Sequence, residues 1–430
     1  MFEGKTYKKI LKELYGFKRL GIRPALPPVK ALLRVLGNPH KKCRFIHIAG
    51  TNGKGSTVAM IASILKEAGF YTGAFYSPHL SDYAERIRIN GQKIPQNELV
   101  KTLRLIGKKW TSAKRSGSGL PQKITFFEWT AALAFCYFAE KGVEVAVVET
   151  GMGGRFDATN VLRPLASAIT NISLEHTAFL GKTRAAIAAE KAAIIKTGRP
   201  VVAGEMTESV TGVFRAEAHR KQSRLFCFGH DFRISQGGVF HSNFSEPLKF
   251  APAMAGRCQL RNAAVAAQTL LCVKSLGIKA GHIVKGISKA VLPGRFEIVV
   301  RNGCEVIYDA AHNPAAFREL ARILRDTRPG KKFNVVMGIL RGKDYRAMLK
   351  IMAPLTARMI CITPDDTRAV PAGTLLGAAR AARMKASTLK DTDDLSTFST
   401  GGHPLLVTGS FTTLDAVKKR FTAMAAKRLV

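Results

Sequence analysis

The chain has 430 residues, 46% of them hydrophobic, which is enough apolar material for more than one core. Its 67 Lys and Arg residues outnumber 30 Asp and Glu, leaving a formal charge of +37, yet the basic residues run from Lys5 to Arg420 without an arginine-rich tail or a zinc-finger pattern. Such a spread argues for a basic surface that attracts anionic small molecules and against a nucleic-acid-binding protein.

The opening residues, MFEGKTYKKILKELYGFKR, alternate charged with apolar side chains, and no uncharged apolar stretch reaches bilayer-spanning length, so neither a signal peptide nor a membrane span is expected. The seven cysteines are scattered, odd in number and never spaced as CxxC, which fits reduced thiols in a cytoplasmic protein. The run CRFIHIA (Cys43 to Ala49) predicts a buried strand, and STVAMIASILKEAG a helix that Gly69 closes. Between them lies Gly50-Thr51-Asn52-Gly53-Lys54-Gly55-Ser56-Thr57. Backbone N–H groups and a helix N-terminus there can hold phosphate oxygens, with a charge from Lys54 and hydroxyls from Ser56 and Thr57. The pattern is not the common G-x-x-x-x-G-K-[ST], since Ile48 stands at the first glycine position and Gly55 follows the lysine.

VEVAVVET (Val143 to Thr150) predicts a second buried strand, ending in Glu149 and leading into the flexible loop Gly151-Met152-Gly153-Gly154-Arg155-Phe156-Asp157. A carboxylate at the carboxyl end of a parallel strand is where Mg²⁺-nucleotide chemistry is usually built. SAITNI (Ser167 to Ile172) predicts a further strand. In TRAAIAAEKAAIIKTG, Ile187, Lys191, Ile194 and Ile195 fall on one helical face, so Lys191 interrupts an apolar stripe and needs a partner. LPGRF (Leu292 to Phe296) reads as a break, and the Asn302-Gly303 pair beyond it predicts a hairpin turn. Tyr308-Asp309-Ala310-Ala311-His312-Asn313-Pro314 then ends a strand and opens a helix, with Asn313 suited to the N-cap and Pro314 to the first helical position. FNVVMGIL, MICIT and PLLVTGS predict more buried strands. Continuous apolar strands between helices imply parallel sheets covered on both faces, in two α/β domains.

Taken in order, HIAGTNGKGST, SPHLSDYAERIRING, TFFEWTAALAF, VVETGMGGRFDATNV, SLEHTAFLG, EKAAIIK, RNAAVAA, LPGRFE, DAAHNP and GILRGKDYRAML span nearly the whole chain. This series resembles the folylpolyglutamate synthase/dihydrofolate synthase family within the Mur ligases. The resemblance implies an N-terminal P-loop ATPase-like domain with a doubly wound parallel sheet over residues 1–292, a linker at 293–297, and a smaller C-terminal Rossmann-like α/β domain over 298–430. It also implies a monomeric, cytoplasmic ligase that uses ATP to join L-glutamate to dihydropteroate, to reduced folates, or to both. Another Mur-type amino-acid ligase with a non-folate acceptor is the alternative.

Carried over motif by motif, the resemblance gives Gly53, Lys54, Gly55 and Ser56 the nucleotide phosphates, and Asn262, Arg295 and Asp309 further nucleotide contacts. Ser77, Glu149 and His176 would hold Mg²⁺, in a site of two ions, with Lys191 carried as a carbamate. Lys54, Lys191, His312 and Asp309 would carry the catalytic roles. The pterin-bearing substrate would lie near Thr125, Phe126, Phe127, Glu128, Arg155, Phe156 and Asp157. The sequence departs from the family pattern at Cys258, where histidine is frequent, at Glu175 in place of Asp, at Ala193 in place of Gly, and at Tyr76 in place of a small residue.

Overall fold

The structure, a computed structural model, describes residues 1–17, 25–117, 119–301, 304–389 and 402–427. The Asn302-Gly303 pair expected to form a hairpin turn lies outside the described residues, as does part of the YGFKRLGIRP segment near the start. The chain divides into two compact units. One comprises Met1–His79, Tyr83–Ala253 and Leu260–Val291; the other comprises Leu80–Asp82, Met254–Gln259 and Leu292–Val430.

The first unit is built on eight strands: β1 (Arg44–Ala49), β2 (Thr72–Phe75), β3 (Ile87–Ile89), β4 (Gln92–Lys93), β5 (Val145–Glu149), β6 (Ala166–Ile169), β7 (Val201–Ala203) and β8 (Leu225–Cys227). They lie in the order β4-β3-β2-β5-β1-β6-β7-β8. From β2 to β8 every pairing is parallel, and at one edge β3 pairs antiparallel with β2 and β4 antiparallel with β3. The runs expected to be buried strands are buried along their whole length in β5 and β6, as helices on both faces require. The chain order reverses around β1, whose neighbours are β5 and β6, so the carboxyl ends of these strands frame a switch-point crevice.

Two helices set the geometry there. Lys54–Glu67 follows β1, and its first turn, Gly55, Ser56 and Thr57, is buried. Gly69 adopts a left-handed φ of 89° just past its end, as its place at the close of the run suggests. Phe126–Glu140 is buried on most sides and supplies Trp129, Phe135 and Phe138 to a core shared with Phe45 and Phe75. A separate antiparallel sheet, β9 (Phe232–Ile234), β10 (Val239–Ser242) and β11 (Ser245–Lys249), completes this unit, with Phe240 stacked on Phe250 at 5.1 Å.

The second unit holds β12 (Glu297–Arg301), β13 (Cys304–Asp309), β14 (Phe333–Met337), β15 (Thr356–Cys361), β16 (Ala386–Thr388) and β17 (Leu405–Thr408), in the order β12-β13-β17-β14-β15-β16. β12 and β13 pair antiparallel and the remaining pairings are parallel. Phe317, Phe333, Met337 and Leu406 are fully buried in its core. Among the described residues, no helix is long and apolar enough to cross a membrane. Among the described residues, Cys43, Cys136, Cys227, Cys272 and Cys361 stand as free thiols, and burial pushes the pKa of Cys136 up to about 12.

Candidate active site

The parallel register of β1 and β5 pairs Ile48 with Glu149, so the glycine loop leaving β1 and the carboxylate ending β5 emerge side by side. Lys54 Nζ donates to Thr51 O at 3.1 Å and lies 3.9 Å from Glu149 Oε1. The register of β2 against β5, Phe75 beside Val148, brings Ser77 alongside as well, and its N–H donates to Glu149 Oε2 at 3.1 Å. Two parallel registers thus gather Lys54, Ser77 and Glu149, although 95 residues separate Lys54 from Glu149 in the sequence.

The glycine loop is fixed from β6. Thr170 Oγ1 and Asn171 Nδ2 donate to Asn52 O at 2.6 and 2.9 Å, and Asn52 N–H donates to Asn171 Oδ1 at 3.0 Å. Gly53 adopts φ 82°, and a Cβ there would fall 2.4 Å from Asn262 Oδ1, so both backbone conformation and the buried Asn262 demand glycine. The anchoring residues Thr170 and Asn171 were not singled out in the sequence; they sit in the expected strand SAITNI, but nothing local marks them as partners of the loop.

Lys191 lies at the end of the helix Arg184–Ala192, buried, with Nζ donating to Gly50 O at 2.8 Å. The helix stops at Ala192, one turn sooner than the stripe suggests, so Ile194 and Ile195 follow it while remaining buried. Burial, then the neighbouring Lys54 charge, lowers the Lys191 pKa to about 7. Glu175, His176, Lys54 and Lys191 line one small cleft with the Gly151–Gly153 turn. His176 is exposed in a left-handed conformation, with Nε2 3.9 Å from Glu175 Oε1. The donors offered by Glu149, Ser77 and His176 are one carboxylate, one hydroxyl and one imidazole. No group of three or more His, Cys, Asp or Glu that could hold a metal exists among the described residues. A small, mostly oxygen set of this kind suits Mg²⁺, which keeps waters and shares substrate phosphates rather than entering an all-protein cage.

Of the residues assigned to the pterin-bearing substrate, Thr125 and Glu128 form a capping box: Glu128 Oε2 accepts from Thr125 N and Oγ1 at 2.6 and 2.7 Å. Phe127 lies directly against Gly151, and Phe126 stacks with Tyr15 at 5.5 Å beneath the Arg86 guanidinium. Arg155 Nε donates to Glu190 Oε1 at 3.0 Å, and Phe156 is 46% exposed at the surface. Asp157 is buried, and each of its carboxylate oxygens accepts from its own loop.

In the second unit, β13 ends at Asp309, Asn313 Oδ1 caps the helix Pro314–Thr327 by accepting from Ala316 N at 2.9 Å, and Pro314 is its first residue. Asp309 accepts from Phe296 N and Ala311 N, both at 2.9 Å. Burial pushes its carboxyl up, opposed by Arg295 and those two amides. His312 Nδ1 lies 2.8 Å from Ala310 O, and the Arg295 guanidinium lies over the Phe411 ring at 5.1 Å.

Similarity to known proteins extends over most of the chain. Residues 48–270 match the Mur ligase middle domain, and residues 294–411 match the Mur ligase glutamate ligase domain. The chain is 34% identical over 432 residues to the dihydrofolate synthase/folylpolyglutamate synthase of Bacillus subtilis, covering 96% of this chain and 99% of that protein. It is 37% identical over 372 residues to a probable bifunctional folylpolyglutamate synthase/dihydropteroate synthase of Haloferax volcanii, covering 83% of this chain but only 43% of that longer protein. The structure of E. coli FolC in complex with DHPP and ADP superposes with a TM-score of 0.85 at 28% identity, covering 98% of this chain and 99% of that one.

Proposed function

Because this chain belongs to the folylpolyglutamate synthase/dihydrofolate synthase family of Mur ligases, we propose that it joins L-glutamate to the carboxylate of dihydropteroate, a reduced folate, or both, at the expense of ATP. The observation that carries this reading is the convergence of the glycine loop, Lys54 and Glu149 at the carboxyl ends of β1 and β5. The backbone N–H groups of the loop and the N-terminus of the helix Lys54–Glu67 hold the nucleotide phosphates, with Gly53, Gly55 and Ser56 shaping the cradle. Lys54 Nζ, anchored on Thr51 O, offsets charge on the transferring phosphoryl group.

The acceptor carboxylate attacks the γ-phosphorus, the bond to the ADP oxygen breaks, and an acyl phosphate results. The amine of glutamate then attacks the acyl carbon, the acyl C–O bond breaks, phosphate leaves with that oxygen and the electron pair, and the amine loses a proton. Positioning and electrostatics supply the acceleration. Glu149, Ser77 and His176 would hold Mg²⁺, which neutralises phosphate charge when bound. Asn262, beside Gly53, adds a nucleotide contact, and Arg295, Asp309 and His312 carry the roles that the family resemblance gives them. Thr125 to Glu128 and Arg155 to Asp157 form or shape the acceptor site.

Lys191 is suited to carbamylation. With a pKa near 7, much of its amine is unprotonated at neutral pH and can add to CO₂, forming an N–C bond and releasing a proton. The resulting anion would sit beside Gly50 and the cleft cations.

The test is ADP release by the purified protein with ATP, Mg²⁺ and L-glutamate, in the presence of dihydropteroate, of tetrahydrofolate, or of neither. Stimulation by either acceptor is expected, rising with added bicarbonate. Basal ATP hydrolysis that neither acceptor stimulates would move the chain to a different Mur-type substrate, and activity indifferent to bicarbonate depletion would remove the carbamate.

A further inference from the structure

His47 lies in β1 with its side chain fully buried. Its Nε2 is 2.8 Å from Thr159 Oγ1, 112 residues further along the chain. Thr159 Oγ1 in turn donates to Asp157 Oδ1 at 2.5 Å. A hydroxyl has one proton, and here the carboxylate takes it, so Thr159 must accept from His47 Nε2–H. That assigns the ring its tautomer. Nδ1 is the unprotonated nitrogen, and it has no partner among the described residues. Burial, followed by the charge of Lys196, lowers the His47 pKa to about 3, which keeps the ring neutral and the donor in place at every physiological pH.

Asp157 receives more than this one bond. Thr159 N donates to Oδ1 at 3.0 Å, while Gly151 N and Met152 N donate to Oδ2 at 2.8 and 2.9 Å. Four donors on two oxygens use the whole acceptor capacity of a carboxylate. Asp157 is therefore spent on its own loop, where it bends Gly151 and Met152 back toward Thr159. A second strut holds the same segment: Lys196 Nζ donates to Asn160 Oδ1 at 2.7 Å, and Asn160 Nδ2 donates to Arg155 O at 3.0 Å.

We infer that His47 and Thr159 are positioning residues that act through Asp157 to fix the shape of the Gly151–Asp157 loop, and so set acceptor affinity without touching substrate. The inference rests on the reading above that this loop borders the acceptor site. In it, β1 serves two sites at once: its end carries the phosphate loop, while His47, inside the sheet, braces the loop that follows β5.

Four variants test it: Thr159→Val and His47→Phe, which keep shape and remove the hydroxyl or the donor, and Thr159→Ser and His47→Gln, which restore them. KM for ATP, KM for whichever acceptor stimulates the wild type, kcat, Tm and amide hydrogen exchange across 151–157 are measured for each. Thr159→Val removes both hydrogen bonds of the hydroxyl, and the acceptor KM is expected to rise about tenfold or more, with the ATP KM unchanged. Exchange at Gly151 and Met152 should accelerate, and Thr159→Ser should restore both readouts. An equal rise in both KM values, a serine variant as impaired as the valine one, or unchanged exchange in Thr159→Val and His47→Phe would overturn the inference. If no acceptor stimulates the wild type, the ligase reading fails on its own, while the exchange data still decide whether His47 and Thr159 hold the loop.

Discussion

Lys191 is buried and Lys196 half-buried, and both donate to carbonyl or amide oxygens. Desolvation lowers their pKa values to about 7 and about 8. In the unfolded chain a lysine titrates near 10.4, so between about pH 7 and that value the unfolded state holds the extra proton and folding becomes more favourable as pH rises. Below about pH 7 both states are protonated and the cost of burying the Lys191 ammonium is present in full. With CO₂ and bicarbonate removed, so that Lys191 carries no carbamate, wild-type stability is accordingly expected to increase from about pH 7 to pH 9 in denaturant titrations. In Lys191→Met that increase should shrink to the part Lys196 contributes; an unchanged pH slope would mean that Lys191 is already hydrated or modified in the folded protein. The stripe in EKAAIIK flagged Lys191 because a charge among isoleucines is visible in a periodic pattern. Lys196 lies just past that helix, where no periodicity points to Asn160.

At the scale of elements, the helix Lys54–Glu67 places Lys54, to which we assign the nucleotide phosphates, and it is held by the helix Ala280–Lys289. A Cβ at Gly286 would meet Ile64 Cα at 2.5 Å, so glycine at this crossing is what lets the two backbones approach. Lys285 and Lys289 pair with Glu67 at 3.0 and 2.9 Å on the exposed side of the same contact, where charge pairs add little. Gly286→Val is expected to destabilise the protein by about 3 kcal/mol and to lower ATP affinity with it. Gly286→Ala should lie between the two. A valine variant with wild-type Tm would show that the helices can separate without cost. The ends of the helix Pro314–Thr327 were legible beforehand, because Asn313 and Pro314 carry the capping chemistry in adjacent residues. The antiparallel strands β9 to β11 were not, since segments such as SEPLK are short, polar and without a continuous apolar run.

For the molecule as a whole, the charge of +37 is unmatched by any single basic motif. Its expected effect is on capture of anionic substrates, screened over roughly 8 Å at physiological ionic strength. Raising salt should lower kcat/KM for a polyglutamylated acceptor more than for one with a single glutamate, with kcat held constant. Equal salt dependence for the two would mean that the local cations of the cleft, and not the overall field, govern capture.

The sequence by itself determined the buried strands, the glycine loop before the helix Lys54–Glu67 and the helix caps, because each is written in neighbouring residues: a β-branched run, a glycine-lysine turn, an asparagine before proline. It also carried the family, through motifs spread along nearly the whole chain. Tertiary structure alone decided which strands lie side by side. Nothing local in CRFIHIA specifies that Ile48 pairs with Glu149, or that His47 meets Thr159 across β1, because parallel register is set by how the intervening helices pack back onto the sheet. The candidate site depends on both, since its charged groups come from local motifs and their distances come from that packing.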